Sequence, residues 1–311
     1  MTRRVAAIDC GTNSIRLLIA DVDVRRAVLT DLAREMKIVR LGEGVDRTGR
    51  LSELALARTM GALREYADLI ARLSPAAMRM VATSATRDAE NSQEFVDRVK
   101  EVLGIAPEVV TGHEEAWLSF AGATVELAGA AAWPPPYLVT DIGGGSTEFV
   151  LGGPGGVSGA RSVDIGCVRM TERHLHGDPP SAAEVAAAAA DIDSALDLVA
   201  DALPVAQAKT LVGLAGSVTT IAGIALGLAS YDPSRTHHSR VPAAQVHAIT
   251  GQLLGQTHAE RAAIGVMHPG RVDVIGAGAL VLDRILTRFG FAEVLVSEHD
   301  ILDGIAWSLV R

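Results

Sequence analysis

One short pattern occurs in each half of the chain. Ile8-Asp9-Cys10-Gly11-Thr12-Asn13-Ser14 is matched by Thr140-Asp141-Ile142-Gly143-Gly144-Gly145-Ser146. In both copies an Asp closes an apolar run, a Gly follows two residues later and a Ser five residues later. A second apolar run then begins, Ile15–Ile19 in one copy and Thr147–Leu151 in the other. An apolar run, a turn cluster and a second run read as a β-hairpin. A repeated hairpin of this kind constrains the chain to two like units. We expect the two hairpins to face each other across a cleft.

The length agrees with two units. A chain of 311 residues makes about two domains at roughly 150 residues each. The clearest break is GAAAWPPP, Gly129–Pro136, because consecutive prolines neither continue a helix nor sit in a central strand. The expected units are therefore 1–128 and 129–311, with the last helix packing back on the first. Leu56, Met60, Leu63, Ala67 and Ile70 form a helical stripe with Ser52 as its N-cap. Asn91 and Glu94 read as a capping box. Met78–Ala82 and Tyr137–Asp141 read as strands, Thr111 opens a helix to about Leu127, and the Ala-rich run Ser181–Ala208 reads as a packing helix. Alternation of strand and helix in both halves gives an α/β fold.

Composition excludes several classes. The hydrophobic fraction of 49% is that of a folded chain rather than a disordered one. Cys10 and Cys167 are the two cysteines, too few for a disulfide framework and not spaced for zinc. The run that opens the chain meets Asp9 too early for a signal peptide, and no apolar stretch is long enough to span a membrane. With 28 Lys+Arg against 37 Asp+Glu, the net charge of −9 speaks against a nucleic-acid binder. The expectation is a soluble cytoplasmic protein that binds neither nucleic acid nor membrane.

The hairpins suit phosphate. Glycines let backbone amides approach an anion, and successive donors form a nest for phosphate oxygens. Gly11, Thr12, Asn13 and Ser14 in one turn, and Gly143, Gly144, Gly145, Ser146 and Thr147 in the other, are the candidate donors. Asp9 and Asp141 repel phosphate while ionised, so a divalent cation or an ordered water is expected to mediate their contact. Leu211–Thr220 is a third strand–turn–helix signal, with Gly216 and Ser217 placed for close approach to a ligand or simply for tight packing.

These residues resemble the actin, sugar kinase and Hsp70 superfamily and, within it, the exopolyphosphatase / guanosine pentaphosphate phosphohydrolase (Ppx/GppA) family. The resemblance is carried by AIDCGTNSIRLLIAD at Ala7–Asp21, ATSATRDAEN at Ala82–Asn91, TGHEEAWLSFAGA at Thr111–Ala123 and DIGGGSTEFV at Asp141–Val150. DIGCVRMTE at Asp164–Glu172, GLAGSVTT at Gly213–Thr220 and the ending VSEHDILDGIAWSL continue it. It implies two actin-like (ribonuclease H-like) domains, and the end at Arg311 places the chain with the short two-domain members.

The resemblance also implies a reaction: hydrolysis of the terminal phosphoanhydride of inorganic polyphosphate, releasing orthophosphate, or the same step on guanosine pentaphosphate. Glu115 matches the family's base for the attacking water, with Glu114 as its neighbouring alternative; other carboxylates are expected around it. Arg87 matches the arginine that contacts phosphate, with a fork suited to two oxygens. Mg²⁺ is the implied cofactor, with Asp141 and Glu148 as its ligands and Asp9 as a further candidate. Because the substrate is anionic, local arginines must offset the net charge, and Arg16, Arg87, Arg169, Arg173, Arg235, Arg240 and Arg271 lie near the motifs. A homodimer is expected. Other readings are a sugar or acetate kinase of the same superfold, and a non-catalytic sensor of polyphosphate or alarmone.

Overall fold

A computed structural model describes residues 2–127 and 132–310. The start of the expected break, Gly129, lies outside the described residues, and the structure resumes ahead of the three prolines. The chain divides into two compact units, Met1–Val125 with His299–Arg311, and Glu126–Glu298. The second unit thus ends short of Arg311, and the final helix, Ile301–Ser308, is part of the first.

The first unit is built on β1 (Thr2–Cys10), β2 (Ser14–Asp23), β3 (Val28–Ile38), β4 (Ala77–Ala82) and β5 (Glu108–Val109), in the order β3-β2-β1-β4-β5. The first three strands are antiparallel neighbours, whereas β4 and β5 run parallel to β1. Side chains alternate across the sheet, as strand geometry requires. Ala6, Ile8, Ile15, Leu17 and Ile19 pack with Leu56, Leu63 and Phe95 in one core. Val5, Ala7, Leu18, Ala20 and Val22 meet Leu118, Ile301, Leu302 and Ile305 in the other. By that parity Asp9 and Arg16 belong to the second face, and they are paired across the ladder.

The second unit repeats the plan. Its strands are β6 (Tyr137–Ile142), β7 (Thr147–Gly153), β8 (Gly156–Val163), β9 (Thr210–Leu214), β10 (Arg240–Pro242) and β11 (Glu293–Val296), ordered β10-β11-β9-β6-β7-β8. Read from β8, the meander β8-β7-β6 continues into parallel β9 and β11, with β10 added antiparallel at the edge. The hairpin repeat in the sequence is therefore a repeat of whole sheets, and each unit has the actin-like plan expected of it.

Helix signals resolve unevenly. The helix Glu53–Leu73 is capped by Ser52, whose Oγ accepts from the Ala55 amide at 3.2 Å. Ser181 and Glu184 form a complete capping box on Ala182–Ala202; that helix stops short of Ala208, and a single 3₁₀ turn, Val205–Gln207, follows it. Asn91, expected to cap Ser92–Leu103, does not: its side chain is taken by Leu51, accepting from its amide at 2.9 Å and donating to its carbonyl at 3.1 Å. A distant backbone pair outcompeted the local cap.

Candidate active site

In each unit the candidate residues gather at the carboxyl ends of the parallel strands, where open α/β sheets bind ligands. In the first unit these ends are Asp9–Cys10, Ala82–Thr83 and Val109–Val110. The turn after β1 is closed by the Gly11 amide donating to the Ser14 carbonyl at 2.9 Å. Its other carbonyls are taken up by the segment after β3: Val39 and Arg40 amides donate to Asn13 O, and the Gly42 amide donates to Thr12 O. Among the described residues, the amides of Thr12 and Asn13 donate to no protein acceptor.

The turn after β6 has the same construction. The Gly143 amide donates to Ser146 O at 3.0 Å. The carbonyls of Gly143, Gly144 and Gly145 accept from the amides of Cys167, Val168, Arg169 and Gly166, at the start of the helix Cys167–His174. Arg169 Nε adds a bond to Gly145 O at 2.7 Å. Again the amides of Gly144 and Gly145 have no protein acceptor among the described residues. Both turns are thus stripped of acceptors while keeping free donors, which is how backbone makes an anion nest. The backing segments come this close through glycines: a Cβ on Gly42 would lie 2.3 Å from Thr12 Cγ2, and one on Gly166 would lie 2.2 Å from Gly144 C.

Glu115 lies in the first turn of the helix Gly112–Thr124, which Thr111 caps. It is buried, and its Oε2 accepts from Arg87 Nη1 at 3.0 Å. The same nitrogen donates to Val110 O at 3.1 Å, which anchors Arg87 at the end of β5. The Arg87 guanidinium thus stands at hydrogen-bond distance from Glu115 and offsets its charge. Glu114 points elsewhere, accepting from Arg79 Nη2 at 2.8 Å and half-exposed. Helix periodicity separates the two acids, and Glu115 is the one placed with Arg87.

Asp141 and Glu148 are register partners across β6 and β7, so both side chains leave the same face of the sheet. Both are buried, and Glu148 Oε1 accepts from Ser162 Oγ at 2.8 Å. Adjacent buried carboxylates supply the hard oxygens that Mg²⁺ requires and gain from a cation between them. The donor set fits the expected ion. The equivalent pair of the first unit is Asp9 and Arg16, bonded at 2.7 Å. Burial pushes the Asp9 carboxyl up while Arg16 pulls it down, and Asp9 Oδ1 is buried without a hydrogen-bond partner. One repeat thus carries two acids where the other carries an ion pair.

Several expected donors are otherwise engaged. Thr147 donates its hydroxyl to Ile165 O at 2.7 Å, beneath the turn. The Thr12 hydroxyl pairs with that of Ser84 at 2.9 Å. Gly216 makes room for protein rather than ligand: a Cβ there would lie 1.8 Å from Arg271 Cζ, and Arg271 Nη1 donates to Gly216 O at 3.0 Å. Ser217 is buried, and both it and Cys167 pack against Gly278. Of the arginines near the motifs, Arg16, Arg87, Arg169 and Arg271 flank the turns and strand ends. Arg173 instead binds Asp191 and Arg240 binds Glu293. The residue that sequence reasoning missed is Asp300, which accepts from Arg16 Nη1; the family-like ending VSEHDILDG was its only signal.

Two copies of the meander-and-parallel-strand sheet, each with a donor-rich Asp-Gly-Ser turn at the strand ends, define a two-unit actin-like α/β protein. The model of the Ppx/GppA phosphatase family matches residues 18–311, and the chain belongs to that family. It is 50% identical over 317 residues to Exopolyphosphatase 2 of Mycobacterium tuberculosis, a match covering 98% of each chain. Among solved structures, an exopolyphosphatase-like protein aligns with a TM-score of 0.94 at 43% identity, over 99% of this chain and 98% of that one. The Aquifex aeolicus Ppx/GppA enzyme aligns with a TM-score of 0.81 at 31% identity, over 99% and 100%. No helix among the described residues is long and apolar enough to cross a membrane.

Proposed function

We propose that this protein is an exopolyphosphatase, hydrolysing the terminal phosphoanhydride of inorganic polyphosphate to orthophosphate and a chain shorter by one phosphate. The observation that carries the reading is the pairing of buried Glu115 with Arg87 in the unit whose first turn keeps free amides suited to phosphate oxygens. The likeness to Exopolyphosphatase 2 over nearly the whole chain supports the polyphosphate substrate.

Glu115 takes a proton from water as the water oxygen attacks the terminal phosphorus; the bond from phosphorus to the bridging oxygen breaks, and the remaining chain leaves with that oxygen. General-base assistance of this kind contributes about 10²–10⁴-fold. Arg87 orients the carboxylate and offsets the charge of the phosphate oxygens. In the first unit the amides of Thr12 and Asn13 bind nonbridging oxygens and Ser14 adds a hydroxyl; the turn of the second unit, taken by itself, offers the amides of Gly144 and Gly145 and the Ser146 hydroxyl to phosphate oxygens in the same way. Asp141 and Glu148 are the residues that would hold Mg²⁺, which when bound neutralises phosphate charge. Asp9 receives a water through its free Oδ1.

The test is orthophosphate release by the purified protein with Mg²⁺ from short polyphosphate, long polyphosphate, guanosine pentaphosphate, and ATP with or without sugars. Release from polyphosphate in preference to the others supports the reading. Release from guanosine pentaphosphate alone would replace it with alarmone hydrolysis, and consumption of ATP only when sugar is present would replace it with a kinase.

A further inference from the structure

Arg16 holds Asp9 asymmetrically. Its Nε at 3.0 Å and its Nη2 at 2.7 Å both donate to Oδ2. A guanidinium facing a carboxylate ordinarily spreads two N–H bonds over both oxygens. Here the remaining nitrogen, Nη1, donates to Asp300 Oδ2. Asp300 is itself fixed as the N-cap of Ile301–Ser308: its Oδ1 accepts from the Leu302 amide at 2.9 Å, and its amide donates to Asp303 Oδ2 at 3.0 Å. Arg34, from β3, secures Asp303 in turn at 2.5 Å. The arginine is therefore drawn toward the helix cap, and Asp9 Oδ1 is left buried with no hydrogen-bond partner. An unsatisfied buried acceptor is costly and calls for an explanation; this one lies at the end of β1, where the Gly11–Ser14 turn begins.

We propose that Asp300 is a positioning residue for the hydrolysis. By holding Nη1 it keeps Arg16 on one oxygen of Asp9 and reserves the other for a water, free or carried by a divalent cation, that accompanies the bound phosphate. The role rests on the phosphoanhydride hydrolysis proposed above. With the charge at residue 300 removed, Arg16 swings to the two-oxygen pairing and Oδ1 is consumed.

The test compares Asp300→Asn and Asp300→Ser with wild type, since Asn and Ser both cap helices well but carry no charge for Arg16. Three quantities are read: Tm without ligand, the rise in Tm caused by Mg²⁺ with orthophosphate, and kcat, KM and the Mg²⁺ concentration for half-activation on polyphosphate. The expected result is a ligand-free Tm near wild type, a smaller rise with Mg²⁺ and orthophosphate, and a kcat lower by about tenfold. KM stays within about twofold while half-activation moves to higher Mg²⁺, since the lost acceptor serves the water rather than chain binding. Wild-type values of kcat, half-activation and Tm rise would overturn the proposal. So would a fall in activity that only tracks loss of folded protein, or failure of both variants to fold, which would assign the charge to holding the fold. If wild type hydrolyses none of the phosphoanhydrides, the catalytic reading fails by itself, and the Mg²⁺–orthophosphate shift still decides whether Asp300 governs the turn.

Discussion

Arg87 donates through one nitrogen to both Glu115 and the Val110 carbonyl, so it is built into the strand end as well as the chemistry. Arg87→Lys keeps the charge but loses the planar fork; kcat/KM on polyphosphate should fall by at least about tenfold, the equivalent of one charged hydrogen bond of roughly 1.5 kcal/mol. Unchanged steady-state kinetics would remove Arg87 from the site. Glu148→Gln keeps the volume beside Asp141 but removes one of two adjacent charges, so the Mg²⁺ requirement should rise while the ligand-free melting temperature stays level or increases. Cys10 ends β1 directly before the phosphate turn, yet burial and then the Asp9 charge push its thiol well above the ordinary range, and burial raises Cys167. Neither thiol should react with iodoacetamide at pH 8 in the native protein, and both should do so after unfolding; mass spectrometry of the labelled chain reads the outcome.

The hairpins were legible in the sequence because their chemistry is local: an Asp, a Gly and a Ser at fixed offsets close the same turn in both units. The helix Glu53–Leu73 was legible for the same reason, its stripe and its cap lying within a few residues. What was not legible depends on partners far along the chain. Asn91 was claimed by Leu51, Gly216 by Arg271 and Arg16 by Asp300. The edge strand β3 was missed as well, because its apolar residues, Val28, Leu29, Leu32, Ala33, Met36 and Ile38, do not alternate as a half-buried strand would. Local chemistry also gives the clearest pH dependence. In the capping box of Ala182–Ala202, the Ser181 amide and hydroxyl, followed by the His176 amide, hold Glu184 down at about 2 from an ordinary 4.5. A carboxyl lowered on folding stabilises above its unfolded value and loses that contribution as pH falls through the folded one. Amide exchange in the first turn of this helix, corrected for its intrinsic pH dependence, should therefore stay protected down to about pH 4.5 and loosen toward about pH 2. Glu184→Gln should abolish most of that change.

At the scale of the molecule, the chain leaves the first unit after Val125 and returns to it at His299. The returning helix buries Ile301, Leu302 and Ile305 against β1 and β2. It passes so close to Gly112–Thr124, the helix bearing Glu115, that a Cβ on Gly122 would lie 1.9 Å from Asp300 O. Gly122→Ala should cost about 1–3 kcal/mol by overpacking, read as a lowered denaturation midpoint. At this scale the reaction proposed for the protein is delivery of water to a phosphoanhydride by Glu115. Its most direct measurement is single-turnover orthophosphate release from polyphosphate with Mg²⁺ by wild type and Glu115→Gln, with chain binding measured in parallel. Glu115→Gln should bind polyphosphate as wild type does and release orthophosphate at least about 10²-fold more slowly. Release at the wild-type rate, with binding unchanged, would contradict it.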